Sequence, residues 1–478
     1  MEAGMNLDSL TKLVQEAMNK AMTFLRHFDF FRAEQVILEL FRQASDWALG
    51  DCMNQVFDCP FFRQTLRDFG NRTGLELNGY NPITVELSNG TAVDVRSPYF
   101  VRKQTGGRRK RGPKPAGSGR KGVHLALDLW GFFGKKSPTL AFKGFRYAAL
   151  SPSYETACCL LRDDDIVMSE NWLRQHLEPF SDLTPQQRAD MSCAAGESFE
   201  GKRVVVEVDG GRYRERTPRK GRIPADLKRR GYDSSWREPR LFTIFTVTPN
   251  GEPEKGVSFH VDGSTGDMQD FLTLLEAYFR RLGIAEAAEV LLVSDGAPWI
   301  WDNVPKLLKN VGLPAGSLTE LMDYTHAKQN LLDTIDLCTF PSEYQREEFI
   351  KDAKDLLFAG DVGRLKSECI AHARRGCKRK VKAKFNKYFR NNQHRFGYEQ
   401  ADGRWPLGSG AVESSIRRVL NMRVKAPGSH WYATSAETII FLRSKLLTGR
   451  WNIFRSNWLQ FRRGHVLDFV HEEYENVA

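Results

Sequence analysis

The sequence predicts an α/β protein whose core is a mixed five-stranded sheet flanked by helices and interrupted by an α-helical insertion, with helical and small β regions ahead of it. Three observations carry this. Two strand-like apolar runs, Val204–Val208 and Val290–Val293, each lead into an Asp-Gly pair. Between them the apolar pattern changes from strand alternation to helical spacing through Phe271, Leu274, Leu275, Tyr278 and Phe279. A basic segment of helical character then interrupts the pattern, which resumes at Trp405.

With 478 residues the chain is long enough for about three domains of roughly 150 residues, each able to bury a core. Hydrophobic residues at 41% and aromatics at 11% exclude a disordered or collagen-like chain. Lys+Arg number 70 against 59 Asp+Glu, a net charge of +11, which favours a polyanionic partner. Mean hydropathy is −0.46, there is no apolar run of about 18 residues, and Met1–Asn19 carries acids without an apolar leader. A cytoplasmic protein without a membrane partner is expected. The eight cysteines form no C-x-x-C pair and have no histidine at zinc spacing, so they read as reduced, mostly buried thiols.

Residues 1–100 read as a helical region followed by a β-hairpin around Asn89-Gly90, where Val85, Leu87, Ala92, Val93 and Val95 alternate. Residues 101–122 form a Gly/Pro linker without an acid. Its Arg108, Arg109, Lys110, Arg111 and Lys114 surround a Gly-Pro step, a pattern like the AT-hook, which enters a narrow minor groove. A solvated linker is the plain alternative. Residues 123–200 read as a small β run at Val123–Leu129 and two short helices, Tyr154–Leu161 and Glu170–Leu177. These fit a helix-turn-helix, with Arg174 on the second helix toward the major groove, and equally fit an ordinary α-hairpin.

The core proper is expected over 201–345. The strand ending at Asp209 is followed by strands at Leu241–Thr248 and Gly256–Val261, a helix, the strand ending at Asp295, a helix over Ala297–Asn310 and a strand at Leu318–Met322. The order β-β-β-α-β-α-β is that of an RNase H-like fold, in which the first and fourth strands lie parallel and adjacent. Asp209 and Asp295 would meet at their carboxyl ends. Two carboxylates so placed suit a pair of Mg²⁺ (or Mn²⁺) ions about 4 Å apart, the arrangement of two-metal phosphoryl transfer. An isolated Asp-Gly is more often a turn, but here each follows a buried strand. The third acid, Glu413, lies one turn into a helix over 406–450, beyond the basic helical insertion 346–405 and ahead of the tail 451–478.

The segments Val206–Arg212, Val293–Trp301, Asp323–Leu331 and Gly408–Ser414 resemble those of bacterial insertion-sequence DDE transposases of the Mutator-like group. The resemblance covers most of Gly201 to Trp451. It implies that Asp209, Asp295 and Glu413 are the metal-binding triad, and that His326, in Asp323-x-x-His326, lies near the active site to position a scissile phosphate or a flipped nucleotide; a core histidine is the plain alternative. It further implies a bacterial, nucleoid-associated enzyme acting on double-stranded DNA, namely terminal inverted repeats and target, as a homodimer or larger assembly.

Basic residues supply candidate DNA contacts. Arg374–Arg395 carries Arg379 and Lys382 among ten cations without an acid, interleaved with Phe385, Tyr388 and Phe389, which would stack on unpaired bases. Arg212, Arg417, Arg418, Arg423 and Lys425 flank the acids, and Trp431 reads as core. Two alternatives stand beside the transposase: a catalytically silent DNA-binding derivative, and a structure-specific nuclease on the same fold.

Overall fold

The computed structural model describes residues 7–103, 122–221, 223 and 231–462. These divide into two compact units, one taking in the residues up to His176 and from Arg455 on, the other Leu177–Phe454.

The first unit opens with helices Leu7–Arg26, Phe30–Asp58 and Pro60–Arg72. An antiparallel hairpin follows, β1 (Leu75–Glu86) and β2 (Ala92–Arg102), with Glu86 opposite Ala92. Its turn uses Gly90 at φ +85°, a conformation that favours glycine. Asp46, buried in the second helix, accepts from Ser88 Oγ at 2.8 Å and Asn89 N at 3.0 Å and so ties the helix to the turn.

The strand expected over Val123–Leu129 is confined to β3 (Gly122–Val123) beside Val101 and Phe100. Leu125–Leu129 is instead a short helix in which Leu125, Ala126 and Leu127 are all buried. Beyond helix Pro138–Leu150 come Tyr154–Asp163 and Glu170–Leu177, near their expected bounds. Arg174 is exposed on the second. His176 stacks on Trp172 at 4.2 Å and its Nδ1 lies 2.8 Å from Trp172 O, so the ring is engaged within its own helix.

The second unit is a mixed α/β structure. Its sheet runs β10-β9-β4-β7-β8: β4 (Arg203–Gly210), β7 (Arg240–Val247), β8 (His260–Ser264), β9 (Glu289–Ser294) and β10 (Leu318–Met322). β4 is parallel to β9 and β9 to β10, whereas β7 and β8 add antiparallel. Val204–Val208 and Val290–Val293 are fully buried because the sheet is covered on both faces, as continuous apolar runs require. Each such side chain contributes about 1.5–3 kcal/mol of burial.

Two elements differ from expectation. The strand expected at Gly256–Val261 begins only at His260, because Gly256 takes φ +80° and the ladder to β7 starts at His260 opposite Ile244. Between β4 and β7 the chain inserts an antiparallel ribbon, β5 (Tyr213–Pro218) and β6 (Tyr232–Arg237), outside the sheet.

The insertion is helical: Glu343–Phe358, Val362–Ala371, Lys378–Tyr388 and a 3₁₀ segment Arg390–Arg395. Of the three aromatics expected to stack on bases, Phe385 and Phe389 are buried and cannot do so, whereas Tyr388 is half-buried. Val381, Phe385 and Phe389 recur at intervals of four, so one helix face carries them into the core, fully buried. The closing helix Ala433–Leu447 is held by an internal ionic network: buried Asp262 receives Arg188 Nε at 3.2 Å and Tyr278 OH at 2.8 Å, and Lys445 Nζ donates to Tyr278 OH at 2.8 Å. Among the described residues no helix is long and apolar enough to cross a membrane.

Candidate active site

β4 and β9 bring Val208 opposite Ser294, so Asp209 and Asp295 leave neighbouring strand ends together. Ser294 bridges the strands, accepting from Val208 N at 3.3 Å and donating to Val208 O. β10 places Met322 opposite Ser294, and Asp323 therefore emerges at the same edge. The loop after Asp295 is fixed by Ala297 N donating to Asp295 Oδ1 (2.9 Å) and Trp301 Nε1 donating to Asp295 O (2.7 Å).

Glu413 arrives on helix Gly410–Ser415, which continues as a π-turn over Ile416–Asn421. Two sheet carboxylates clamp the start of this helix. Asp323 Oδ2 accepts from Ser409 N at 2.5 Å and Ser409 Oγ at 2.8 Å, and Glu207 Oε2 accepts from Val412 N at 2.6 Å. These bonds satisfy amides that a helix start leaves unpaired and place negative charge where the helix dipole favours it. Gly211 permits the approach of the π-turn, since a Cβ there would lie 2.1 Å from Leu420 Cδ2.

Asp323 also caps the helix Tyr324–Ile335, accepting from His326 N at 2.8 Å. The half-exposed His326 ring has Nδ1 3.3 Å from Asp323 Oδ1 and 3.6 Å from Glu413 Oε1, without hydrogen-bond alignment, so the attraction is one of charge. Asp323 and Glu413 push the imidazole up to about 9. Burial works against Asp323, yet the hydrogen bonds from His326 and Ser409 hold its carboxyl below the usual range.

Burial lifts Asp209 to about 6, and the charges of Asp295 and Glu413 add to the effect. Burial lifts Glu207 to about 8, with Asp323 and Glu413 adding to it. Asp209 and Asp295 thus leave neighbouring strand ends, and His326 lies 3.6 Å from Glu413 beside Asp323 at the end of the next strand. The open donors are hard carboxylate oxygens, which suit Mg²⁺ or Mn²⁺, and a cation would relieve the repulsion that adds to burial at Asp209. Asp323, His326 and Glu413 offer atoms within 4.8 Å of one another, but Asp323 is engaged by Ser409 and His326 and acts as a clamp.

A second acid-histidine group, Cys193, Glu197 and His260, also lies within 4.8 Å. Arg450 donates to both Glu197 oxygens at 2.7 and 2.9 Å, and burial pushes the Cys193 thiol up to about 12, so this is a closed packing network. All eight cysteines are free; Cys158, Cys193, Cys338 and Cys369 are buried, whereas Cys52, Cys59 and Cys159 are exposed.

The basic residues separate. Arg212, Arg379, Lys382, Arg417, Arg418 and Lys425 are exposed. Arg423 is not: it is 2% exposed with its guanidinium 4.6 Å from the Trp431 ring, so the turn after the π-helix carries it inward and it is no surface contact. Trp431 is buried, as its core reading expects. Arg174 belongs to the other unit, and Arg108, Arg109, Lys110, Arg111 and Lys114 lie outside the described residues. The insertion packs on the loop after Asp295, where a Cβ at Gly296 would lie 2.5 Å from Tyr388 Cε2.

Sequence reasoning missed Glu207 and the β5–β6 ribbon. Glu207 had a signal: an acid in an otherwise apolar strand, two residues before Asp209 and therefore on its face.

No protein-family model matches the chain, and no curated protein does. Among solved structures it is similar to a Drosophila P element transposase strand transfer complex, with 11% identity over 71% of this chain and 86% of that one and a TM-score of 0.23. That likeness is too slight to bear on fold or function.

Proposed function

We propose that the chain is a metal-dependent DNA transposase of the DDE type, similar to the Mutator-like group, which cuts the ends of its element and joins them to target DNA. The observation that carries this is that Asp209 and Asp295 leave adjacent parallel strands while Glu413 comes to within 3.6 Å of His326 beside Asp323, which follows the next strand, in a chain with net charge +11. The sheet order β10-β9-β4-β7-β8, first and fourth strands parallel at its centre, supports an RNase H-like reading of the fold.

Asp209, Asp295 and Glu413 would hold the two Mg²⁺ or Mn²⁺ ions. When bound, such ions activate the attacking oxygen and stabilise the leaving oxygen of an in-line displacement. Hydrolysis and joining use the same three carboxylates because they differ only in the nucleophile. Asp323 and Glu207 hold the helix that presents Glu413. His326, drawn by Asp323 and Glu413, adds a cation that attracts a phosphate to the acidic edge.

The test is a labelled mini-element with both ends intact, incubated with Mg²⁺, Mn²⁺ or EDTA. Metal-dependent breaks at the element boundaries and joined products are expected, lost in Asp209→Ala, Asp295→Ala and Glu413→Ala while end binding persists. Full cleavage by any one of the three variants overturns the assignment. Breaks without joined products favour a nuclease.

A further inference from the structure

The β5–β6 ribbon begins four residues after Asp209. Its register sets Arg214 opposite Trp236, Arg216 opposite Ser234 and Pro218 opposite Tyr232. Strand alternation puts these six on one face, and none of them is an acid. The ribbon's acids belong to the other face, where Glu215 pairs with Arg237 at 2.5 Å, while Asp233 takes Arg219 at 2.8 Å. Over the described residues 212–221 and 231–238, Arg212, Arg214, Arg216, Arg219, Lys220 and Arg237 against Glu215, Asp233 and Glu238 leave a net charge of +3.

Every residue of β6 is exposed, Trp236 by 54% and Tyr232 by 42%. The Arg214 guanidinium lies 4.9 Å from the Trp236 ring, and that of Arg216 lies 4.1 Å from the Tyr432 ring. The backbone of Trp431 pairs with the ribbon through Arg216 N to Trp431 O (2.8 Å) and Trp431 N to Arg214 O (3.0 Å), which steadies it. The result is an aromatic and guanidinium surface on which Arg214, Tyr232 and Trp236 are exposed and Arg216 is partly exposed.

We infer that this face binds single-stranded DNA leading from the acid cluster, with an unpaired base on Trp236 and phosphates against Arg214 and Arg216. Aromatic faces accept any base, and Arg lying on a ring keeps its N–H edge for phosphate oxygens. Five residues from Asp209 to Arg214 span at most about 18 Å, so a strand extension of a few nucleotides reaches the ribbon. The inference rests on the proposed DNA chemistry of the cluster for naming its occupant.

The experiment measures binding of the full chain, in EDTA, to a fluorescent blunt duplex and to the same duplex with a single-stranded extension of about five nucleotides. Trp236→Ala is expected to weaken binding of the extended probe by about 5- to 100-fold and the blunt probe far less, with Trp236→Phe restoring most of the loss. Arg214→Ala is expected to lower the salt slope of binding by about one. Unchanged binding by Trp236→Ala, or an equal loss on both probes, overturns the inference. Competition by polyglutamate as strong as that by the unlabelled extended probe would assign the face to an acidic protein and also overturn it. Binding is read in EDTA, where no cleavage occurs, so failure of the wild-type chain to cut DNA with Mg²⁺ or Mn²⁺ refutes the enzyme and not the ribbon.

Discussion

Glu207 gives the sharpest test of how the site is held. Its carboxyl is 1% exposed, sits at about 8 because it is buried, and accepts the Val412 amide at 2.6 Å, one residue before Glu413. At pH 7 the neutral acid predominates, so Glu207→Gln preserves charge, volume and acceptor. Glu207→Leu preserves only volume and leaves a buried N–H unpaired, at about 1–3 kcal/mol. Added apolar burial offsets part of that in a melt, which makes activity the better readout. A displacement of Glu413 by about 1 Å costs about 10²-fold in rate. Metal-dependent strand cleavage at pH 7 should therefore stay within a few-fold for the Gln variant and fall about 10- to 100-fold for the Leu variant. A Leu variant cleaving at the wild-type rate, or a Gln variant failing as badly as Leu, would refute the clamp. The sign of the pH effect follows from the raised value: Glu207 contributes stability that is full below about 4.5 and is lost as pH rises through about 8, at most about 5 kcal/mol. Glu207→Gln should show a flatter fall of stability between about pH 4.5 and pH 8 in chemical denaturation.

Further expectations follow from particular contacts. Mg²⁺ at about 100 times its dissociation constant should stabilise the protein by about 2.7 kcal/mol in a thermal melt, and Asp209→Ala should abolish that shift. Gly211→Ala should cost about 1–3 kcal/mol by driving a methyl into Leu420; combination with Leu420→Ala should recover part of the loss in a double-mutant cycle. Burial holds His260 down to about 4, so its stability is present above about 6.5 and lost as pH falls toward 4, by up to about 3 kcal/mol. Glu197, held low by His260 and Arg450, acts in the same direction below its usual range. Denaturation of His260→Gln across that window should show a shallower acid slope; an unchanged slope would remove His260 as its source.

Much of this was written locally. Apolar runs at Val204–Val208 and Val290–Val293 specify central strands, helical spacing specifies Met268–Leu282, and Asn89-Gly90 specifies a hairpin, because each depends on periodicity or turn chemistry within a few residues. The strand-end positions of Asp209 and Asp295 follow from the same local pattern. What the tertiary structure decided depends on partners distant in sequence. Glu207 meets Val412 across 205 residues, and Asp323 meets Ser409 across 86. Phe385, Phe389 and Arg423 turn inward because of what packs against them, which a count of aromatics and cations does not reveal. The ribbon escaped notice because β6 is exposed throughout and shows no apolar alternation, the one signal by which a strand declares itself in sequence. Sequence alone therefore determined the strands and the acids at their ends, since burial imposes a period; only the fold decided which distant carboxylates hold Glu413 and which basic residues remain in solvent.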